Sequence, residues 1–103
     1  MRREVRQLKR KAIESLMLSI ELFNRPREES RSEAVLIHAD RAFEMLLKAV
    51  IRHRGGSIRR PGEAHTIGME QCVDKCVSDA AVSCLRPEDA VTLHALNGWR
   101  DTA

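Results

Sequence analysis

Aromatic residues are almost missing from this sequence: Phe23, Phe43 and Trp99 are the whole set, and there is no tyrosine. Proteins that bind single strands by stacking bases on aromatic platforms need more rings than this, so that mode is excluded. Long apolar runs are missing too. The longest stretch free of Asp, Glu, Lys and Arg is ten residues, Ala90 to Trp99, about half of what a membrane-spanning helix requires. The opening MRREVRQLKRK is basic, but the apolar core of a secretory leader does not follow it, so the expected location is cytoplasmic. Five glycines include no phosphate-cradling loop, because Gly55-Gly56 is not followed by the Lys-Ser/Thr such a loop uses. No segment alternates as a strand does, and no Asn-Gly or Asp-Gly turn is present. Three cysteines, an odd count, read as reduced thiols rather than a disulfide framework.

What remains is a chain of 103 residues, 43% hydrophobic and 32% charged, which suits one small helical domain over residues 1–103. The net charge of +3 is unevenly placed. Residues 1–60 hold 15 Lys/Arg against 8 Asp/Glu, whereas residues 61–103 hold 3 against 7. A basic first half can attract phosphate backbones through counterion release. Equally, the two halves can attract each other, or the arginines can form a solvated face.

Helical periodicity organises the chain. Val5, Leu8, Ala12, Leu16, Ile20 and Phe23 recur at spacings of three and four, with Ile13 and Met17 widening the stripe. Asn24 and Pro26 should end this first helix. A capping box, Ser30-x-x-Glu33, opens a second helix whose expected apolar face is Leu36, Ala39, Phe43, Leu46, Leu47 and Val50. Gly55-Gly56 should stop it. Near-equal lengths and a short connector predict an antiparallel hairpin. Gly55 to Gly68, with Pro61, reads as a loop. A shorter third helix carries Met69, Cys72, Val73, Cys76, Val77 and Ala80, and Pro87 with Glu88 and Asp89 opens a fourth. The expected fold is all-α, a four-helix bundle. The first helix has a stripe wider than one neighbour needs, which predicts a homodimer with the fourth helix at or near its interface. The pattern LNGWRDTA has no capping residue, so the expectation is a domain truncated within its C-terminal helix.

Few residues suggest chemistry. Cys72 and Cys76 share a helix face as two metal ligands can, but no second pair completes a site, and burial on the apolar stripe is expected instead. No metal and no cofactor is expected. Asp40 and Glu44, one turn apart, are either a carboxylate pair or a solvated flank, and Glu44 with Lys48 makes an i,i+4 ion pair. The four histidines have no partner nearby in sequence. RHRGGSIRR is the sharpest basic patch, so Arg52, Arg54, Arg59 and Arg60 are the candidate nucleic-acid-binding residues.

The segment FNRPREESRSEAVLIHADRAFEMLLKAVI, from Phe23 to Ile51, resembles a bacterial domain-of-unknown-function family allied to the HEPN superfamily. The marks are FNRP at Phe23–Pro26, the Arg31/Glu33 pair and FEMLLKA at Phe43–Ala49; LNGWRDTA resembles the approach to that superfamily's R-x4–6-H motif. The resemblance implies a HEPN-like four- or five-helix bundle of a metal-independent endoribonuclease, in which two protomers build one active site. It implies a bacterial defence or toxin setting, RNA as substrate, and a cognate antitoxin or other protein partner. By that match Arg100 is the motif arginine and Asp101 the polar residue after it, and the motif histidine falls two to four residues beyond Ala103. Lacking that histidine, these 103 residues are expected to be inert toward RNA. A non-catalytic helical dimerisation or nucleotide/RNA-binding module is the other expectation.

Overall fold

A computed structural model describes residues 3–24, 31–59, 62, 65–80 and 82–102, and of residues 31, 32, 101 and 102 only the backbone. Pro26, Ser30 of the expected capping box, Arg60, Pro61 and the side chain of Asp101 lie outside what is described. Four helices follow in order: α1 (Arg3–Asn24), α2 (Arg31–His53), α3 (Met69–Ser78) and α4 (Pro87–Thr102). Among the described residues there is no strand, only an isolated antiparallel bridge between Arg59 and Thr66. No helix among them is long and apolar enough to cross a membrane. The all-helical, four-helix architecture is therefore as the periodicity indicated.

The long helix α2 lies at the centre, touched by all three others, while α1 packs on no helix but α2. Antiparallel pairing of α1 and α2 places Ser19 against Val35 at one end, where the hydroxyl donates to the carbonyl at 3.0 Å. At the other end it places Glu4 against Arg52. The α2 terminus is a Schellman turn: the amide of Gly56 donates to the Ile51 carbonyl at 2.8 Å and that of Gly55 to the Arg52 carbonyl at 3.1 Å. Gly55 supplies the left-handed φ of +84° that such a turn needs. Gly56 is there for closeness, because a Cβ would sit 2.8 Å from Ile51 Cγ2 and 2.9 Å from Val82 Cγ1.

The core fills the space around α2. Val5, Leu8 and Ala12 of α1, Met45, Ala49 and Ile51 of α2, and Ile58, Cys72, Val73, Cys76 and Val82 belong to one buried apolar cluster. Cys72 and Cys76 are fully buried, as the stripe implied, and burial pushes both thiols up to about 12 from an ordinary 9.0. In α3, Val77 is half-buried and Ala80 lies past the helix end, exposed. Pro87 starts α4 as expected, with the amide of Asp89 returning to the Arg86 carbonyl.

Two expected faces are corrected. In α1 the buried face continues from Ala12 to Ser15, Ser19 and Leu22, while Ile13, Leu16, Met17, Ile20 and Phe23 stay exposed. Each i+4 step overshoots a full turn by about 40°, so the run Ala12, Leu16, Ile20 rotates off α2, while Ser15, Ser19 and Leu22 stay on it. The serines remain on the contact face, where small side chains let the helices approach. In α2, Phe43 and Leu46 are open, and the buried positions include Asp40, Ala42, Met45, Lys48 and Ile51. A helix with neighbours on several sides buries more than one stripe.

Candidate functional site

The α4 face turned to α2 runs through Leu93, Asn97 and Arg100, at helical spacings of four and three. Leu93 and Asn97 are buried, and Arg100 ends the row with about a third of its side chain, 34%, in contact with solvent. Its Nη1 donates to Asp40 Oδ2 at 2.8 Å, across 60 residues of sequence. Asp40 is 0% exposed. A carboxylate this far from water is kept charged only by a close partner of opposite sign, and the planar guanidinium supplies one with fixed geometry. Asn97 Oδ1 is buried one turn earlier, with no hydrogen-bond partner among the described residues.

Asp40 and Glu44 are therefore neither a catalytic carboxylate pair nor a solvated flank. Each is committed to its own cation. Glu44 Oε2 accepts from Lys48 Nζ at 2.9 Å, and the same ammonium donates to Thr66 Oγ1 at 2.7 Å. Lys48 is only 3% exposed, so the pair read from sequence as a helix-surface contact is an interior one. One turn further along α2, Arg52 donates from Nη1 to the Gly56 carbonyl at 3.0 Å and sits with its Nε 3.2 Å from Glu4 Oε1. The row Asp40, Glu44, Lys48, Arg52 advances about 40° per step around α2, so it meets α4 first, then the loop, then α1.

The described arginines of the basic patch have different partners. Arg52 is tied as above, and Arg54 donates from Nη1 to the Ser83 carbonyl. Arg59 alone presents an exposed, unpaired side chain among the described members, and Arg60 is not described. Sequence reasoning passed over Asp40 as the partner of Arg100. The only signal was an acidic residue inside an otherwise apolar helix face. It also missed His94, whose Nε2 lies 3.1 Å from Asp74 Oδ1 and links α4 to α3. Among the described residues no three of His, Cys, Asp and Glu group as a metal site.

Arg100 thus stands at the solvent edge of the α2–α4 contact, oriented from beneath by a buried carboxylate, on a helix whose Val91 and Trp99 are exposed. No curated protein and no solved structure matches the chain. A family profile does match, over residues 7–103, and it covers both Asp40 and Arg100; the chain belongs to the DUF3644 family, a domain of unknown function.

Proposed function

We propose that the chain is the helical bundle of a HEPN-type, metal-independent endoribonuclease of a cytoplasmic bacterial defence or toxin–antitoxin system, acting as a homodimer, with Arg100 contacting the scissile phosphate. The observation that carries this reading is the Arg100–Asp40 pair, 2.8 Å between Nη1 and Oδ2 with the carboxylate fully buried. Held from below, the guanidinium loses little freedom on meeting a phosphate, and its donors suit the oxygens on which charge develops. The chemistry is attack of a ribose 2′-hydroxyl on the adjacent phosphate, leaving a cyclic phosphate and a free 5′-hydroxyl. Arginine stabilises the phosphoryl charge but stays protonated near neutrality, so the proton shuttle is a histidine's task. The exposed apolar row Ile13, Leu16, Met17, Ile20 and Phe23 supports the dimer.

A second reading, a non-catalytic dimerisation or RNA-binding module, is favoured by the same contact viewed as a structural tie between α2 and α4. RNA binding and cleavage in EDTA separate the two. The 103 residues should bind RNA without cutting it, and a longer product with histidine in R-x4–6-H register should cut it without added metal. Arg100→Ala should reduce binding at least tenfold and abolish most cleavage while circular dichroism still reports a folded helix. Unchanged affinity and activity in that variant, or cleavage that strictly requires a divalent ion, leaves the module reading. Sedimentation showing only monomer at tens of micromolar would remove the homodimer.

A further inference from the structure

A second basic feature lies away from Arg100, where the N-terminal half of α1 faces the loop after α2. Arg3, Glu4 and Lys11 of α1, Lys48 of α2 and Arg59 of the loop line a cleft of about 520 Å³, with Leu8 and Ile58 in its wall. The Arg59–Thr66 bridge, with the Ile67 amide donating to the Ile58 carbonyl at 2.7 Å, holds the loop side in place. The charges in and around it do not cancel. Glu44 is occupied by Lys48 and Glu4 by Arg52, which leaves Arg3, Lys11 and Arg59 without an ion-pair partner among the described residues. At the base, the Lys48 ammonium has three donors; Glu44 and Thr66 take two, and no described residue takes the third.

We propose that this cleft is a phosphate-binding site, taking the phosphates of an RNA strand or of a free nucleotide. Two guanidinium forks and a lysine can surround phosphate oxygens, and the nearly buried Lys48 offers a fixed point charge at the bottom. None of Phe23, Phe43 and Trp99 lines the cleft, so it has no ring on which to stack a base and recognises the phosphates themselves. Four residues of the site come from three separate parts of the chain, and only Arg59 belongs to the basic patch visible in the sequence. The site does not depend on the ribonuclease reading, and it can stand where that reading falls.

The experiment is a binding titration of the whole 103-residue chain with three probes: a short fluorescent single-stranded RNA, ATP and pyrophosphate. The variant replaces Arg3→Gln, Lys11→Gln and Arg59→Gln together, all exposed positions, with circular dichroism as the folding control. The expected result is at least a tenfold loss of affinity. For RNA, the log–log salt dependence should flatten by about two units, at roughly 0.7 per phosphate contact on a single strand. Tight RNA binding that ATP and pyrophosphate do not displace identifies a strand backbone as the ligand, whereas displacement by ATP identifies a free nucleotide. Arg100→Ala is measured alongside: a loss there with none in the triple variant overturns the cleft and spares the Arg100 site. A loss in the triple variant alone does the reverse. No binding of any probe into the millimolar range, or equal affinity in parent and triple variant, overturns the proposal.

Discussion

The outer half of α1 and the inner half of α2 treat water in opposite ways. From Ile13 to Phe23, α1 leaves six large apolar side chains exposed and buries Ser15 and Ser19. Along α2, Asp40 and Lys48 are buried while Phe43 and Leu46 are open. Residue polarity does not sort these positions; the number of neighbours does. Because α1 rests on a single helix, everything off that one contact line meets solvent. Because α2 is covered by three helices and a loop, even Asp40 and Lys48 are enclosed, and each must find a partner inside. The apolar face left on α1 is the kind of patch that a second molecule covers, while Asp40, Glu44, Lys48 and Arg52 of α2 are internal ties.

That contrast can be broken most sharply at Glu44. Glu44→Ala leaves the Lys48 ammonium with Thr66 alone, and the expected loss is about 3 kcal/mol in urea unfolding, the usual scale for stranding a buried charge. Replacing the pair together, Glu44→Leu with Lys48→Met, should recover most of it. A loss below about 1 kcal/mol in the single variant would mean that the Lys48 ammonium does not depend on Glu44. Arg100→Ala should cost about as much, ~3 kcal/mol, since it takes the guanidinium from the fully buried Asp40 carboxylate. The same unfolding curve measures it.

The dry side of α2 that meets α3 can be probed with pH. Burial raises the Cys72 and Cys76 thiols to about 12, above the 9.0 of an unfolded chain. Below 9.0 both states keep the protons, so stability is unaffected. Above it the unfolded chain releases protons that the native core retains, so stability falls as pH rises toward 12, by at most about 1.4 kcal/mol per pH unit per thiol. Urea curves at pH 8 and pH 10 should show the fall, and Cys72→Val should flatten it. The smallest effect belongs to α1. Ile20→Ser should change the stability of the single chain by no more than about 0.5 kcal/mol, yet Ile20→Lys should shift a self-associating sample toward monomer in sedimentation. A large stability loss on Ile20→Ser would place that residue in a core rather than on an open face.

Local chemistry determined the helices themselves. Gly55 had to end α2, because few residues but glycine take that left-handed turn without strain, and Pro87 with Glu88 and Asp89 marked the start of α4. The apolar spacing of Met69, Cys72, Val73 and Cys76 was enough to place them in the core. These are short-range matters, settled by dihedral preference and by which residues share a turn. The tertiary structure decided which face of each helix is covered. Periodicity says that Leu16, Ile20 and Phe23 line up with Val5 and Leu8; it does not say that the line twists away from the only helix there to cover it. Nor could spacing pair Arg100 with Asp40, 60 residues distant, or bring Arg3, Lys11, Lys48 and Arg59 around one cleft. Those contacts exist because α1 and α4 both run antiparallel to α2. Charge burial then follows from packing, and the partners are chosen by which helix ends arrive side by side.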